Sequence, residues 1–317
     1  MIKYTLQRLV ALVLTLFVIL TIAFLVIRLM PGSIYENREL PPKLLATLED
    51  KYHLNEPIIV QYKIFIQNIM RGDWGTSIAL RVNVPVWEVL YSRIPITLQL
   101  NLIALIIALP LGILAGILAA LFQNGKVDHL LSFMVVIFIS VPSFIFATLL
   151  QYVFAFRLGW LPIIYNASNL GGSKYASIIL PVIALMLAPM ARVTRYLRGE
   201  LIETLSSDFM LLARTKGLSR FQATVRHAMR NSFVPLANII IPMFTDILTG
   251  SLVVENIFAV AGVGGLLINS LNASDHPLTI AILIFYSAIS LLTILVVDLS
   301  YGLIDPRVRM GGAKSEQ

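Results

Sequence analysis

Cysteine is absent from the 317 residues, which excludes disulfides, zinc-thiolate sites and thiol nucleophiles. Charge is scarce too. Asp, Glu, Lys and Arg make up 13% of the chain, about half of what a water-soluble domain carries. With 58% apolar residues and a mean hydropathy of +0.85, a single aqueous core is ruled out, and most of the chain reads as solvated by lipid. A phosphate-cradling G-x-x-x-x-G-K-[ST] loop is missing. Gly125-Lys126 lacks the upstream glycine, and Gly262-Val-Gly-Gly265 follows no strand, so the chain is expected to have no ATPase site of its own. The histidines (His53, His129, His227, His276) are scattered, without ligand-spaced companions, and no G-x-S-x-G elbow is present. No metal, cofactor or catalytic residue is expected in this chain.

What is present is a series of apolar runs, at residues 9–27, 96–122, 130–156, 175–191, 233–254 and 277–297. Each is long enough for a membrane-spanning helix, which predicts an all-α membrane protein of six spans. The first run is longer than a typical signal-peptide core and leads into Arg28-Leu-Met-Pro-Gly32 without a small-residue cleavage site, so it is expected to be a retained helix. The net charge of +7 would suit a nucleic-acid binder, but the positive residues lie in short segments between apolar runs. With the N-terminus inside, the inner segments hold 14 Lys and Arg against 6 Asp and Glu, while residues 31–95 hold 7 of each sign. The positive-inside rule then places both termini in the cytoplasm and leaves no call for nucleic acid.

The predicted organisation is an N-terminal helix over 1–30, an extracytoplasmic lobe over 31–95, a five-helix core over 96–306 and a cytoplasmic tail over 307–317. Apolar residues at Ile58, Ile59, Tyr62, Phe65, Ile66 and Ile69 predict an amphipathic helix in the lobe. Prolines at 110, 142, 181, 189 and 242 fall inside spans, where they mark either bent helices or ordinary tolerance of proline in lipid.

The segment between spans four and five is the most informative. Ser206 or Ser207 is placed to cap a short helix, with Asp208 in its first turn and Arg214 and Lys216 in its last; Gly217 is suited to the left-handed turn that ends it. Phe209, Leu212, Ala213 and Lys216 fall on one face. Ser219-Arg-Phe-Gln222 has capping-box spacing and opens a second helix running to Pro235. A helix-glycine-helix element with apolar residues near its start suits protein docking, and its basic content equally suits an amphipathic helix on anionic lipid.

These residues resemble the cytoplasmic coupling (EAA-type) loop of ABC importer permeases, in the form Asp208-Phe-x-x-x-Ala-Arg-x-Lys-Gly-Leu-Ser219 followed by Arg226-His-Ala-x-Arg-Asn-x-x-x-Pro235. Met30-Pro-Gly32, Arg71-Gly-Asp-Trp-Gly-Thr-Ser77, Arg93-Ile-Pro-Ile-Thr97, Val141-Pro-Ser143, Val254-Glu-Asn-Ile-Phe258 and Leu303-Ile-Asp-Pro-Arg307 extend the likeness along nearly the whole chain. The family is the dipeptide and oligopeptide permeases, and the long outer segment is similar to the B-type subunit. Leu211 and Leu212 stand where the general loop pattern has Glu and Ala. The resemblance implies a type I importer permease fold and a multi-pass subunit of the bacterial or archaeal cytoplasmic membrane that imports peptides. It implies a second, C-type permease subunit, two ABC ATPase subunits carrying ATP and Mg, and an extracytoplasmic peptide-binding protein. It implies an ATPase-coupling role for Asp208, Phe209, Leu212, Ala213, Arg214, Lys216, Gly217, Leu218 and Ser219.

Candidates for the translocation path are Gln99 and Asn101 early in span two, Ser140 before Val141-Pro142, and Asp246 in span five. Asp246 and Asp298 are expected at helix seams as structural acids, since an intramembrane carboxylate needs a partner; Glu255, at the outer end of span five, is expected to be hydrated. Two other readings remain open here. A proton-coupled secondary transporter would use Asp246, and an importer of the same family could carry nickel or another small solute.

Overall fold

The computed structural model describes residues 2–29, 53, 55–168, 172–224, 228–229, 232, 235–236, 239–244 and 251–304. Its regular elements among these residues are helices, with one isolated backbone bridge between Thr76 and Pro85. In chain order the helices are α1 (Ile2–Leu29), α2 (Ile58–Met70), α3 (Val86–Tyr91), α4 (Ile94–Leu121), α5 (Lys126–Ser140), α6 (Ser143–Leu150) continuing into a π-helical stretch (Gln151–Arg157), α7 (Ser173–Leu205), α8 (Asp208–Thr215), α9 (Arg220–Ala223), α10 (Leu252–Ile257), α11 (Val263–Asn272) and α12 (His276–Ile304).

Among the described residues, four helical stretches are long and apolar enough to cross a bilayer, and a fifth span results if α5 and the helix after it are counted together. Of the expected fifth run, 233–254, residues 235–236, 239–244 and 251–254 are described. The expected third run, 130–156, is not one straight helix: α5 and the 143–157 segment meet at 102°. The cause is Pro142. Its ring disfavours helical geometry at the preceding residue, and Val141 is extended at φ −88° and ψ 124°. Pro142 itself, at φ −56° and ψ 142°, becomes the residue from which α6 restarts. Pro110, Pro181 and Pro189, by contrast, sit inside helices that continue through them.

The chain divides into two compact units. One comprises residues 1–95 and 262–292. Within it α2 forms where the apolar spacing predicts, and Phe24 of α1 stacks on Phe65 and meets Tyr62 edge-on, at centroid distances of 5.1 and 5.4 Å. Tyr62 and Thr21 share a hydrogen bond of 2.6 Å between their hydroxyls. The Arg71–Ser77 motif forms a tight turn. Gly72 and Gly75 have φ of +78° and +81°, a region glycine enters without steric cost, and the Asp73 Oδ1 accepts the Gly75 N–H at 2.9 Å. The next turn is held by Asp275. This carboxylate is fully buried and accepts the Ser77 hydroxyl and the backbone N–H groups of Ile78, Ala79 and Leu80, at 3.0 to 3.2 Å for the amides. Val86, Val89 and Leu90 of α3 close the unit's core with Val263, Leu266, Leu278 and Ile282.

The other unit comprises residues 96–261 and 293–317. Its centre is the crossing of α4 and α7. Ala104, Ala108, Gly112, Gly116 and Ala120 repeat every fourth residue and are all buried, a small-residue stripe that lets helix backbones approach. A Cβ on Gly112 would stand 2.7 Å from the Met190 carbonyl oxygen and 2.9 Å from Val193 Cβ; one on Gly116 would stand 3.0 Å from Leu197 Cβ. Thr194, buried between them, donates its hydroxyl to the Met190 and Gly112 carbonyls at 2.8 and 3.2 Å. Ile106 and Leu114, on the other side of α4, are exposed, as lipid-facing residues would be.

Replacing Asp275 by Ala leaves several buried donors without an acceptor and is expected to destabilise the 1–95 and 262–292 unit by about 3 kcal/mol. Thermal unfolding of the detergent-solubilised protein measures this, and Asp275→Asn, which keeps the shape and one acceptor, should cost less.

Candidate functional site

The candidate coupling region grows directly from α7. This helix runs to Leu205, and Ser206 closes it with its N–H on the Ile202 carbonyl. Ser206 and Ser207 do not cap α8 with their side chains, as their positions suggested. Their hydroxyls turn backward, to the Glu203 and Thr204 carbonyls, where the end of α7 leaves acceptors without donors. The Ser207 carbonyl instead accepts the Met210 and Leu211 N–H groups at the start of α8. One dipeptide thereby ends one helix and starts the next.

Helix α8 has two faces. Met210 is fully buried in a cluster with Leu105, Ala120, Val193, Leu197 and Leu201, so the short helix is fixed to the α4–α7 crossing. Asp208, Leu211, Leu212, Thr215 and Lys216 are exposed, Leu212 at 57%. Phe209, Ala213 and Arg214 lie on the same helix, with side chains outside the described residues. Gly217 has φ +90°, the left-handed turn expected of it. No atom lies within 4 Å of a Cβ added there, so its backbone conformation, and not crowding, demands glycine. The capping box after it forms as spaced: the Gln222 N–H donates to Ser219 Oγ and the Ser219 N–H to Gln222 Oε1, both at 3.2 Å. Leu218 is half-buried against the same cluster as Met210, and Ala223 of α9 is buried in it. The result is a surface of exposed Asp208, Leu211, Leu212, Lys216, Gly217 and Ser219 mounted on a buried apolar base.

Met210 was not singled out in the sequence, although its position opposite Leu212 and Lys216 on a helical wheel was the available signal. Two further polar groups were passed over or read otherwise. Asp128, in the first turn of α5, is almost fully buried and receives a bidentate pair from Arg198 of α7, Nε to Oδ1 and Nη2 to Oδ2, the latter at 2.8 Å. The Asn124 N–H, at 2.8 Å, and the Ser132 hydroxyl, at 3.3 Å, fill its remaining acceptor positions. In the sequence Asp128 and Arg198 are separate loop charges; the pairing exists only because α5 packs on α7. The second is Glu255. It is not hydrated, as expected, but 1% exposed, accepting the Thr97 hydroxyl at 2.9 Å. The reason is local: Ser251 caps α10, its Oγ accepting the Val254 N–H at 3.3 Å, and this short helix presents Glu255 to the first turns of α4.

The translocation-path candidates are not gathered into one place. Gln99 and Asn101 are half-buried on α4, Asn101 donating its side-chain N–H to the Thr97 carbonyl at 2.8 Å. Ser140 is exposed at the end of α5, beside the break at Val141-Pro142, and lines a cavity that includes neither of them. Asp246 lies outside the described residues, as does the side chain of Asp298.

Removing the Arg198 guanidinium strands a buried carboxylate, so Arg198→Ala should destabilise the 96–261 unit by about 3 kcal/mol, measured as a fall in thermal unfolding temperature. Asp128→Ala together with Arg198→Ala should cost less than the sum of the two single changes; strict additivity would mean that the pair has no coupling energy.

Comparison with known proteins bears on the family and the fold. Two family models cover the chain, the N-terminal part of a binding-protein-dependent transport system membrane component over residues 1–101 and the corresponding inner membrane component over residues 112–310. The chain is 41% identical to the dipeptide transport system permease protein DppB of Lactococcus lactis subsp. cremoris, over 98% of this chain and all of that one. It is 37% identical to the oligopeptide transport system permease protein OppB of Haemophilus influenzae, with the same coverage, and 36% identical to DppB of Bacillus subtilis, over 98% and 99% of the two chains. Its fold is shared with a chain of the MetNI methionine ABC transporter in an inward-facing conformation, at a TM-score of 0.53 and 16% identity, over 71% of this chain and 97% of that one. A multi-pass, mostly helical chain matched by these family models over nearly its full length belongs to the family of binding-protein-dependent transport system inner membrane components.

Proposed function

We propose that this chain is the B-type permease subunit of a peptide-importing ABC transporter, forming half of the translocation path and taking its driving force from separate ATPase subunits. Support for the peptide substrate comes from the names of the relatives, which are dipeptide and oligopeptide permeases matched end to end. The observation that carries the coupling role is the build of the α8–Gly217–α9 surface. Its exposed residues are available to a partner, while Met210 beneath them is packed into the α4–α7 crossing, so a push on α8 is delivered to two spanning helices and not absorbed in a loose loop.

In this reading a C-type permease subunit pairs with the chain and an extracytoplasmic binding protein delivers the peptide. Two ATPases, holding ATP and Mg, dock on Asp208, Phe209, Leu212, Ala213, Arg214, Lys216, Gly217, Leu218 and Ser219. Closure of the ATPases on ATP moves α8 and tilts α7 with it, alternating access between the two membrane faces. The sequence excess of Lys and Arg in the short loops supports cytoplasmic placement of this surface and of both termini. A proton-driven carrier finds no support among the relatives, which are named as dipeptide and oligopeptide transport system permeases.

Uptake of labelled di- to pentapeptides, measured in a strain lacking this chain and again with it restored, tests the assignment; restored uptake of a nickel salt without peptide uptake would overturn the substrate. Gly217→Val places a β-branched residue at φ +90°, a conformation costing about 1–2 kcal/mol for a residue with a Cβ. The variant should insert and assemble, yet lose most uptake while the complex still hydrolyses ATP; wild-type uptake would remove Gly217 from the coupling role. A cysteine at Phe209, in this cysteine-free chain, should crosslink to a cysteine scanned across the ATPase surface of the assembled complex. Failure at every scanned position would leave α8 as a lipid-surface element.

A further inference from the structure

Helices α4, α5 and α7 line a half-open cavity of about 390 Å³, bordered by Ala119 of α4, by Ser132, Val135, Val136, Ile139 and Ser140 of α5, and by Thr194, Arg195 and Arg198 of α7. Its two ends differ. The Asp128–Arg198 pair fixes how α5 lies along α7, so Arg195, Arg198 and Ser132 share the end near Asp128. Val136, Ile139 and Ser140 lead away from it, Ser140 by about 18 Å at the rise of a helix. Asp128 starts the apolar stretch of α5, so the charged end lies at headgroup depth and the aliphatic end within the hydrocarbon layer.

The polar groups at the charged end are already committed, with one exception. Ser132 donates to Asp128 and Thr194 to two carbonyls. Arg198 has Nε and Nη2 on the Asp128 carboxylate. Arg195, one turn away on α7, is exposed and forms no ion pair among the described residues. The local balance of two guanidiniums against one carboxylate leaves one positive charge, at the mouth of a pocket with aliphatic walls. A peptide backbone would need donors and acceptors along its length, which Val135, Val136 and Ile139 do not offer. An amphiphile with one negative charge fits both ends, and basic pockets between membrane helices at headgroup depth are the known setting for anionic lipids.

We propose that this cavity is a binding site for an anionic phospholipid, its phosphate on Arg195 and an acyl chain along Val135, Val136 and Ile139. The site borders the Asp128–Arg198 pair through Ser132 and Arg198, so an occupied cavity braces the α5–α7 contact on which that pair depends.

Native mass spectrometry of the assembled transporter in nanodiscs, titrated with phosphatidylglycerol or with phosphatidylcholine of the same acyl chains, tests the proposal. The wild-type complex should bind phosphatidylglycerol at least fivefold more tightly, the order expected of one basic side chain at a membrane surface. Arg195→Gln should remove that preference and Arg195→Lys should keep it. Ile139→Trp, which fills the aliphatic end without touching the charge, should weaken the bound phosphatidylglycerol severalfold, and so tests the site even if Arg195→Gln fails to assemble. Equal affinity for the two lipids, or an unchanged preference in Arg195→Gln, would overturn the site. Equally tight binding of soluble glycerol phosphate would overturn the acyl-chain part, and displacement of the lipid by a soluble tripeptide would assign the cavity to the transport path instead.

Discussion

The close approach of α4 and α7 is the contact on which the rest of the 96–261 unit depends. In lipid there is little hydrophobic force between helices, and association comes from packing and interhelical hydrogen bonds. Both are concentrated at one crossing, where Gly112 and Gly116 bring α4 so near that a single Cβ would meet the Met190 carbonyl or Leu197, and where Thr194 donates across to Gly112. With that crossing set, Leu105, Ala120, Val193, Leu197 and Leu201 form a floor, and Met210 inserts into it. A larger residue at Gly112 would separate the helices and remove the seat of α8.

The proposed coupling role rests on the same geometry. Helix α8 has 8 residues, too few to be stable alone, and it holds its form through burial of Met210 and through helix ends that serve each other: the Ser206 and Ser207 hydroxyls close α7 while the Ser207 carbonyl opens α8. The element is buried where it meets the spanning helices and exposed on its other face. Gly217 supplies the sharp turn between the two helical pieces, in a conformation with no steric demand other than its backbone angle.

Buried acids act as local organisers elsewhere. Asp128 fixes α5 to α7, Glu255 ties α10 to the start of α4, and Asp275 gathers the 77–80 turn. Each receives donors that would otherwise be unsatisfied away from water, and each carboxylate is held by groups that offset its desolvation. None belongs to a cluster able to hold a metal among the described residues, which suits polar groups that hold helices together.

Much was legible in the sequence alone. The apolar runs gave the helical membrane class, the spacing of Ile58, Tyr62, Phe65 and Ile69 gave α2, and the sequence around Asp208, Gly217 and Ser219-x-x-Gln222 gave the helix-turn-helix with its left-handed glycine and capping box. These are local properties, decided by periodicity, proline and glycine geometry and hydrogen bonds spanning a few residues. Tertiary structure decided what depends on residues distant in the chain. Pro142 could equally have been absorbed into a straight helix, as Pro110 was, and only the packed chain bends there by 102°. Asp128 and Arg198, 70 residues apart, read as separate loop charges, and Glu255 reads as hydrated until Thr97 is brought to it. Charge at one position says nothing about the partner that folding will place beside it.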